Sequence, residues 1–153
     1  MAETSAGILL FRRDGGLEVL LGHMGGPFWR GKDVAAWSIP KGMYTDEEPL
    51  TAALREFAEE IGRPAPDVPY VELGAFRYAS GKVVVVFAGE SDFDASEIDS
   101  NLFEMEWPPR SGRRQSFPEF DVAGWFRLDV ARERLVKGQR PALDALDRFV
   151  TGD

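Results

Sequence analysis

Cysteine is absent from the 153 residues. That excludes a disulfide framework, a thiolate metal site and a cysteine nucleophile. Histidine occurs once, at His23, and a lone histidine is more often a hydrogen-bonded structural residue than a ligand. No apolar run approaches the length of a membrane span. The N-terminal stretch MAETSAGILLFRR lacks a basic leader followed by a long apolar core, so no secretory signal is expected. Positive charge is also short: 18 Lys and Arg stand against 26 Asp and Glu, a net charge of −8. General nucleic-acid binding needs a basic face and is not expected here. A phosphate-rich small substrate is not excluded, because a metal bound to it supplies the missing positive charge. Hydrophobic and charged fractions are those of a globular protein. The chain reads as one domain, residues 1–153, without repeats, soluble and cytoplasmic, as a monomer or a homodimer.

The stretch from Pro40 to Gly62, PKGMYTDEEPLTAALREFAEEIG, stands out. A glycine loop precedes one short helix, with Pro49 suited to its first turn and Gly62 and Pro64 suited to its end. At about 100° per residue, Leu50, Ala53, Leu54, Phe57 and Ile61 fall in one stripe that a core would take. On the same count Glu59, Glu56 and Glu60 fall near about 180°, 240° and 280°, so their carboxylates are neighbours. Like charges at that spacing destabilise a bare helix. A divalent cation reverses the sign, and hard oxygen ligands suit magnesium or manganese. Taken alone, Glu59 and Glu60 would read as a solvated helix face. The fixed offsets of Gly42, Arg55, Glu56 and Gly62 favour chemistry instead.

This arrangement resembles the signature of the Nudix hydrolases: Gly, five residues, Glu, seven residues, then Arg-Glu-apolar-x-Glu-Glu-x-Gly-apolar. Gly42 opens it, and Arg55, Glu56, Phe57, Glu59, Glu60 and Gly62 close it in order. The count from Gly42 to Arg55 is one residue short. Glu47 as the first acid keeps its spacing to Arg55 and shortens the loop; Glu48 would shorten the helical part. Glu47 is preferred, because a loop absorbs a deletion more easily than a helix. Arg63 stands where an apolar residue is usual.

The resemblance implies an α/β (α+β) fold, a mixed β-sheet sandwiched between α-helices with the signature helix against one face. It implies a hydrolase of phosphoanhydride bonds in nucleoside diphosphate derivatives, dependent on Mg2+ or Mn2+. It implies that Glu59 and Glu60 bind metal, that Glu56 binds metal or acts as base, that the Gly42 carbonyl adds a ligand, and that Arg55 braces the acids. For Arg55 a structural ion pair with Glu47 or Glu48 is the preferred role. A further acid from a loop outside the signature is expected at Glu119, six residues before Trp125, with Glu104 and Glu106 as rivals. Lys41, beside the metal loop, is a phosphate-binding candidate. Arg110, Arg113 and Arg114 form the one concentrated basic loop, able to grip a polyphosphate or to serve solubility. Phe28, Trp29 or Trp37 could stack on a base, although buried packing is commoner for any one of them. The loop opening at His23 makes that residue a substrate-binding candidate beside its structural reading.

Tyr78, some sixteen residues beyond Gly62, and the Pro-Lys-Gly lead resemble the branch that cleaves dinucleoside polyphosphates such as diadenosine tetraphosphate. Nucleoside triphosphates come second as substrates, and ADP-ribose or sugar nucleotides third. An inactive nucleotide-binding sensor on the same fold is the rival from another class; a sensor has no need of Glu56, Glu59 and Glu60 together.

For the rest of the chain, patterning predicts a hairpin of Ser5–Arg12 and Leu17–Gly22 around Asp14-Gly15-Gly16. Ala36–Ile39 is extended. Tyr70–Tyr78 and Lys82–Gly89 are strands, with Val83–Phe87 buried on both faces. Asp92–Asn101 is an acidic loop, Leu102–Trp107 a half-exposed strand, Pro108–Phe117 a loop and Gly124–Leu128 a short strand. Asp129 is expected to cap a helix over Val130–Lys137. A last helix from Pro141 to Val150 is expected to bury Leu143, Leu146, Phe149 and Val150.

Overall fold

The computed structural model describes residues 3–152. Two long strands, β1 (Thr4–Arg13) and β2 (Leu17–Met24), pair antiparallel from Phe11↔Val19 to Arg13↔Leu17. Gly15 and Gly16 supply the positive φ values of the turn, 70° and 149°. Beyond Phe11 and Val19 the two strands part. Residues 37–43 fill the gap as two short strands: β3 (Trp37–Ser38) pairs with β2, and β4 (Lys41–Met43) pairs with β1. Ile8 N–H donates to the Pro40 carbonyl at 3.1 Å, which closes the seam between them. The predicted extended piece and the loop after it are therefore a wedge inside the sheet.

The other edge of β1 runs parallel to β6 (Val83–Glu90), in register from Thr4↔Val83 to Phe11↔Glu90. Strand β5 (Tyr70–Arg77) adds antiparallel to β6, and β9 (Phe120–Arg127) adds antiparallel to β2. Period-two alternation splits the core of this mixed sheet in two. Ala6, Ile8 and Leu10 join Phe87 on one face, while Leu9 and Phe11 join Val84, Val86 and Ala88 on the other. Both faces of the VVVVF run are covered, as its unbroken apolar character predicts.

The first face carries α1 (Pro49–Ile61), with Pro49 in its first turn and Gly62 ending it in the left-handed conformation, φ 93°. Ala53, Phe57 and Ile61 are buried as expected, but Ala52 replaces Leu50 and Leu54 as the fourth buried residue. Leu50 and Leu54 pack only partly, at the margin of the cluster. The other face carries α2 (Leu128–Arg134) and α3 (Arg140–Thr151). Helices thus sandwich a mixed sheet, the architecture that the resemblance implies.

Several expectations are corrected. The basic stretch is not all loop: β8 (Arg114–Pro118) pairs with β7 (Leu102–Glu106) in a separate two-stranded sheet. Strand β9 starts four residues before Gly124, and α2 starts at Leu128, so Asp129 lies in its first turn and Arg127 takes the cap position without a side-chain bond. Phe149 is 46% exposed, and Ala142 takes the buried place beside Leu143 and Leu146.

A single 3-10 turn, Lys137–Gln139, places Gln139 fully buried under the wedge. Its Oε1 accepts Ile39 N–H at 2.8 Å, and its Nε2 donates to Ser38 Oγ at 2.9 Å and Tyr78 Oη at 2.8 Å. One amide thereby pins β3 to the helical layer. Gln139→Leu keeps the bulk and leaves these polar groups buried without a partner. It should cost about 2 kcal/mol of folding stability, read as a lower midpoint in urea; an unchanged midpoint would contradict this account of Gln139.

Candidate active site

The acidic face of α1 rises beside β4. Gly42 is where they touch: a Cβ there would overlap the Glu56 carboxylate. Only a residue without a side chain lets the helix and strand approach so closely. On the same strand Lys41 N–H donates to Glu60 Oε1 at 2.9 Å. The strand backbone therefore grips one acid and makes room for another.

Arg55 holds the outer rim. Its Nη2 and Nε meet the Glu47 carboxylate at 2.6 and 3.0 Å, and its Nη1 reaches Glu56 Oε1 at 2.8 Å and Glu59 Oε1 at 3.3 Å. Glu47, not Glu48, is the acid before the helix that Arg55 meets; Glu48 takes the cap position of α1 without a side-chain bond. The hydrogen bonds from Arg55 hold the Glu47 carboxyl below its ordinary range. The guanidinium in turn keeps its proton more firmly, first through Glu47 and, against some burial, through Glu56. It is 37% exposed, so water screens these pairs and their worth lies in orientation rather than stability.

The inner acids are pushed the other way. Burial moves the Glu60 carboxyl up to about 8; the charges of Glu119 and Glu56 add to this, and the Lys41 N–H and ammonium oppose it. Burial likewise raises Glu56, with Glu59 adding and Arg55 and Lys41 opposing. Burial raises Glu119 too, against the pull of Lys41. Glu56, Glu60 and Glu119 therefore share one patch of electric field, with Lys41 at its centre.

The rival outer acids lie elsewhere. Glu104 is exposed and stands 3.7 Å from Arg114, and Glu106 accepts the backbone N–H of Arg110 at 2.8 Å. Both are occupied within the β7–β8 hairpin. Arg113 and Arg114 are exposed on that hairpin, Arg113 in its turn and Arg114 at the start of β8. Tyr78 packs with the opposite core layer, against Gly138 and Gln139. His23 is buried: Nδ1 meets Asp121 Oδ1 at 2.8 Å and Nε2 meets the Lys32 carbonyl at 2.6 Å. Both ring nitrogens are thereby engaged away from the acids of α1. The structure thus gathers Lys41, Gly42, Arg55, Glu56, Glu59, Glu60 and Glu119, and holds His23, Tyr78, Arg113 and Arg114 apart from them.

The donor set suits a hard divalent cation: several carboxylates and a nearby backbone, without sulfur or imidazole. Among the described residues no three acids are already drawn into a metal-ligand cluster. Arg55 bridges Glu56 and Glu59 from the outside, and the Lys41 backbone N–H holds Glu60. Sequence reasoning missed Ser100 and Asn101, which fasten the segment beside Glu119; a Ser-Asn pair after an acidic loop carries no distinguishing signal.

Comparison with known proteins bears on the family and the fold. A family model described as NUDIX domain matches residues 1–146. The fold resembles a binary complex of the C. elegans Ap4A hydrolase, TM-score 0.68 at 19% identity, over 97% of this chain and 99% of that one. It resembles the NUDIX domain of Shewanella oneidensis NrtR complexed with ADP ribose, TM-score 0.65 at 20% identity, over 98% and 89%. It also resembles the MutT protein from Methanosarcina mazei Go1, TM-score 0.61 at 18% identity, over 97% and 95%. The comparison with curated protein sequences gives no significant match. At these identities the structural likeness speaks for the fold.

A carboxyl that binds its proton more tightly when folded favours folding at low pH. For Glu60 that contribution is complete below the ordinary value of 4.5 and is lost as pH rises through about 8. Without metal, Glu60→Gln should therefore gain stability relative to the unaltered protein as pH rises across that window. Urea melts in chelator at several pH values measure the difference, and a pH-independent difference would contradict the placement of Glu60.

Proposed function

The chain belongs to the Nudix family of hydrolases, and from that premise we propose that it cleaves phosphoanhydride bonds in dinucleoside polyphosphates such as diadenosine tetraphosphate, with Mg2+ or Mn2+. The observation that carries the hydrolytic reading is the meeting of Glu56 and Glu60 on α1 with the strand of Lys41 and Gly42. The likeness to the C. elegans Ap4A hydrolase over nearly the full length of both chains supports the substrate class. A nucleoside triphosphate pyrophosphohydrolase on the same fold is the second reading.

Glu59, Glu60, the Gly42 carbonyl and Glu119 would hold the metal, and Glu56 would bind it or act as base. When bound, the cation neutralises phosphate oxygens and sharpens the acidity of an aligned water. Arg55 orients Glu56 and Glu59 from the outside. An inner carboxylate of raised proton affinity, Glu56 in this reading, takes the proton as water attacks phosphorus and the bridging oxygen leaves with the second nucleotide. The Lys41 ammonium, on the strand beside the acids, would meet phosphate oxygen, and fixed cations of this kind stabilise the transition state. Arg113 and Arg114 extend the grip to distal phosphates. In this reading one domain, residues 1–153, acts on a small nucleotide in the cytoplasm. Among the described residues no helix is long and apolar enough to cross a membrane.

A panel of dinucleoside polyphosphates, nucleoside triphosphates and ADP-ribose, with magnesium and with products identified by mass, tests the substrate. The dinucleoside polyphosphates should give the highest kcat/KM, and a clear preference for triphosphates would favour the second reading. Glu59→Gln should lower turnover by roughly two orders of magnitude or more, because the cation loses an anionic ligand. Rate against magnesium concentration measures it; near-normal activity would remove Glu59 from the site. Arg113→Ala and Arg114→Ala should raise KM most for the longest phosphate chains. Equal effects on short and long substrates would place both arginines away from the polyphosphate.

A further inference from the structure

The last turn of α1 leaves carbonyls without intrahelical partners. One short segment takes two of them. Asp99 N–H donates to the Ile61 carbonyl at 2.9 Å, and Asn101 N–H donates to the Glu59 carbonyl at 2.9 Å. The Asn101 carbonyl then accepts Glu119 N–H at 2.9 Å, and the Glu119 carbonyl accepts Gly25 N–H at 2.9 Å. Between Asp99 and Asn101, Ser100 turns its hydroxyl inward, and Oγ accepts Phe120 N–H at 3.0 Å. Both backbone groups of Glu119, and the amide after it, are therefore fastened. Two of those three bonds lead back to the helix that carries Glu59 and Glu60.

Two glycines make the route possible. A Cβ on Gly62 would lie 2.5 Å from the Asp99 carbonyl oxygen and 2.8 Å from its nitrogen, and a Cβ on Gly25 would overlap the Pro118 carbonyl. Gly62 thus does more than end a helix in the left-handed conformation: its bare backbone lets the Asp99 segment lie against the helix end. Phe120, 3% exposed, anchors the far side, with its ring over Gly22.

We propose that residues Asp99–Asn101 form a backbone splint that fixes the distance between the Glu59–Glu60 end of α1 and Glu119, with Ser100 as its positioning side chain. The proposal rests on the reading of Glu119 as the acid that completes the site. The splint spans the gap between two elements distant in sequence and leaves no free hinge at Glu119. Removing the Ser100 hydroxyl frees Phe120 N–H and loosens the strand entry at the acid, without touching any carboxylate.

The test uses the full chain with magnesium and its best substrate, and the metal-free chain for amide exchange. Ser100→Ala should lower kcat by roughly ten- to a hundredfold, as expected for misplacement of a reacting group, while KM changes by less than about twofold. Ser100→Thr, which keeps the acceptor, should restore the rate. In metal-free protein, Ser100→Ala should speed hydrogen exchange at Asn101, Glu119 and Phe120 and leave the buried amides of α1 unchanged. On a Glu119→Gln background, Ser100→Ala should cause no further loss. Additive losses, a change confined to KM, or unchanged exchange at the three amides would overturn the splint. A damaging Glu119→Gln with a silent Ser100→Ala overturns the splint alone. A silent Glu119→Gln overturns the reading of Glu119, and the proposal falls with its target.

Discussion

Burial of the carboxylates Glu56, Glu60 and Glu119 close to other negative charge is the constraint around which this molecule is arranged. Solvated carboxylates on one helix face would cost each other only a few tenths of a kcal/mol per pair. Here they are partly withdrawn from water, and the inner ones bind protons more tightly as a result. Folding tolerates this because three of the four acids Glu56, Glu59, Glu60 and Glu119 are answered: Arg55 takes Glu56 and Glu59, and the Lys41 backbone N–H takes Glu60. These partners are cationic or polar and can be exchanged. A site that stores like charge under such partners is built to trade them for a divalent ion and its phosphate ligand.

The sheet explains why the charges meet there. The β1–β2 hairpin opens after a few pairs, and the segment from Trp37 to Met43 enters the opening. Its far end presents Lys41 and Gly42 to α1. Its near end is held from the opposite face by Gln139, which bonds Ile39 two residues before Lys41. Gly7 has no room for a side chain, since a Cβ there would stand 2.7 Å from Lys41 Cβ and from the Pro40 carbonyl. Packing on the helical layer that bears no acid thus sets the height of the strand beneath the acids. The two core layers are separate clusters, but the wedge joins them mechanically.

Much of this was legible in the sequence. The hairpin, the VVVVF strand and the acidic helix each carry one strong periodicity, and the signature fixes the order of its acids. What was not legible depends on partners distant in the chain. Strand β8, RQSFP, has no apolar alternation, because its hairpin lies outside the main sheet and its outer residues stay exposed. Gln139 sits in Lys-Gly-Gln-Arg, which reads as surface, and only the fold shows that its amide is buried. Ala52 is buried because β4 and the helix approach closely, a proximity set by Gly42. Phe149 lies on the periodic stripe of α3, yet it only borders an open groove with Phe11, Val71 and Ala88 and stays 46% exposed. The splint consists of backbone bonds, to which side-chain identity is blind, apart from Ser100 and the two glycines.

Thermal melting of the unaltered protein and of Glu60→Gln, each in chelator and then in excess Mg2+, tests most directly whether the acids form a cation site held under repulsion. The account predicts that metal-free Glu60→Gln melts at or above the unaltered protein, and that Mg2+ raises the melting point of the unaltered protein by mass action and of the variant much less. A metal-free variant that melts far lower, with no response of the unaltered protein to Mg2+, would contradict it: Glu60 would then be a structural residue, and the cluster would not be a metal site.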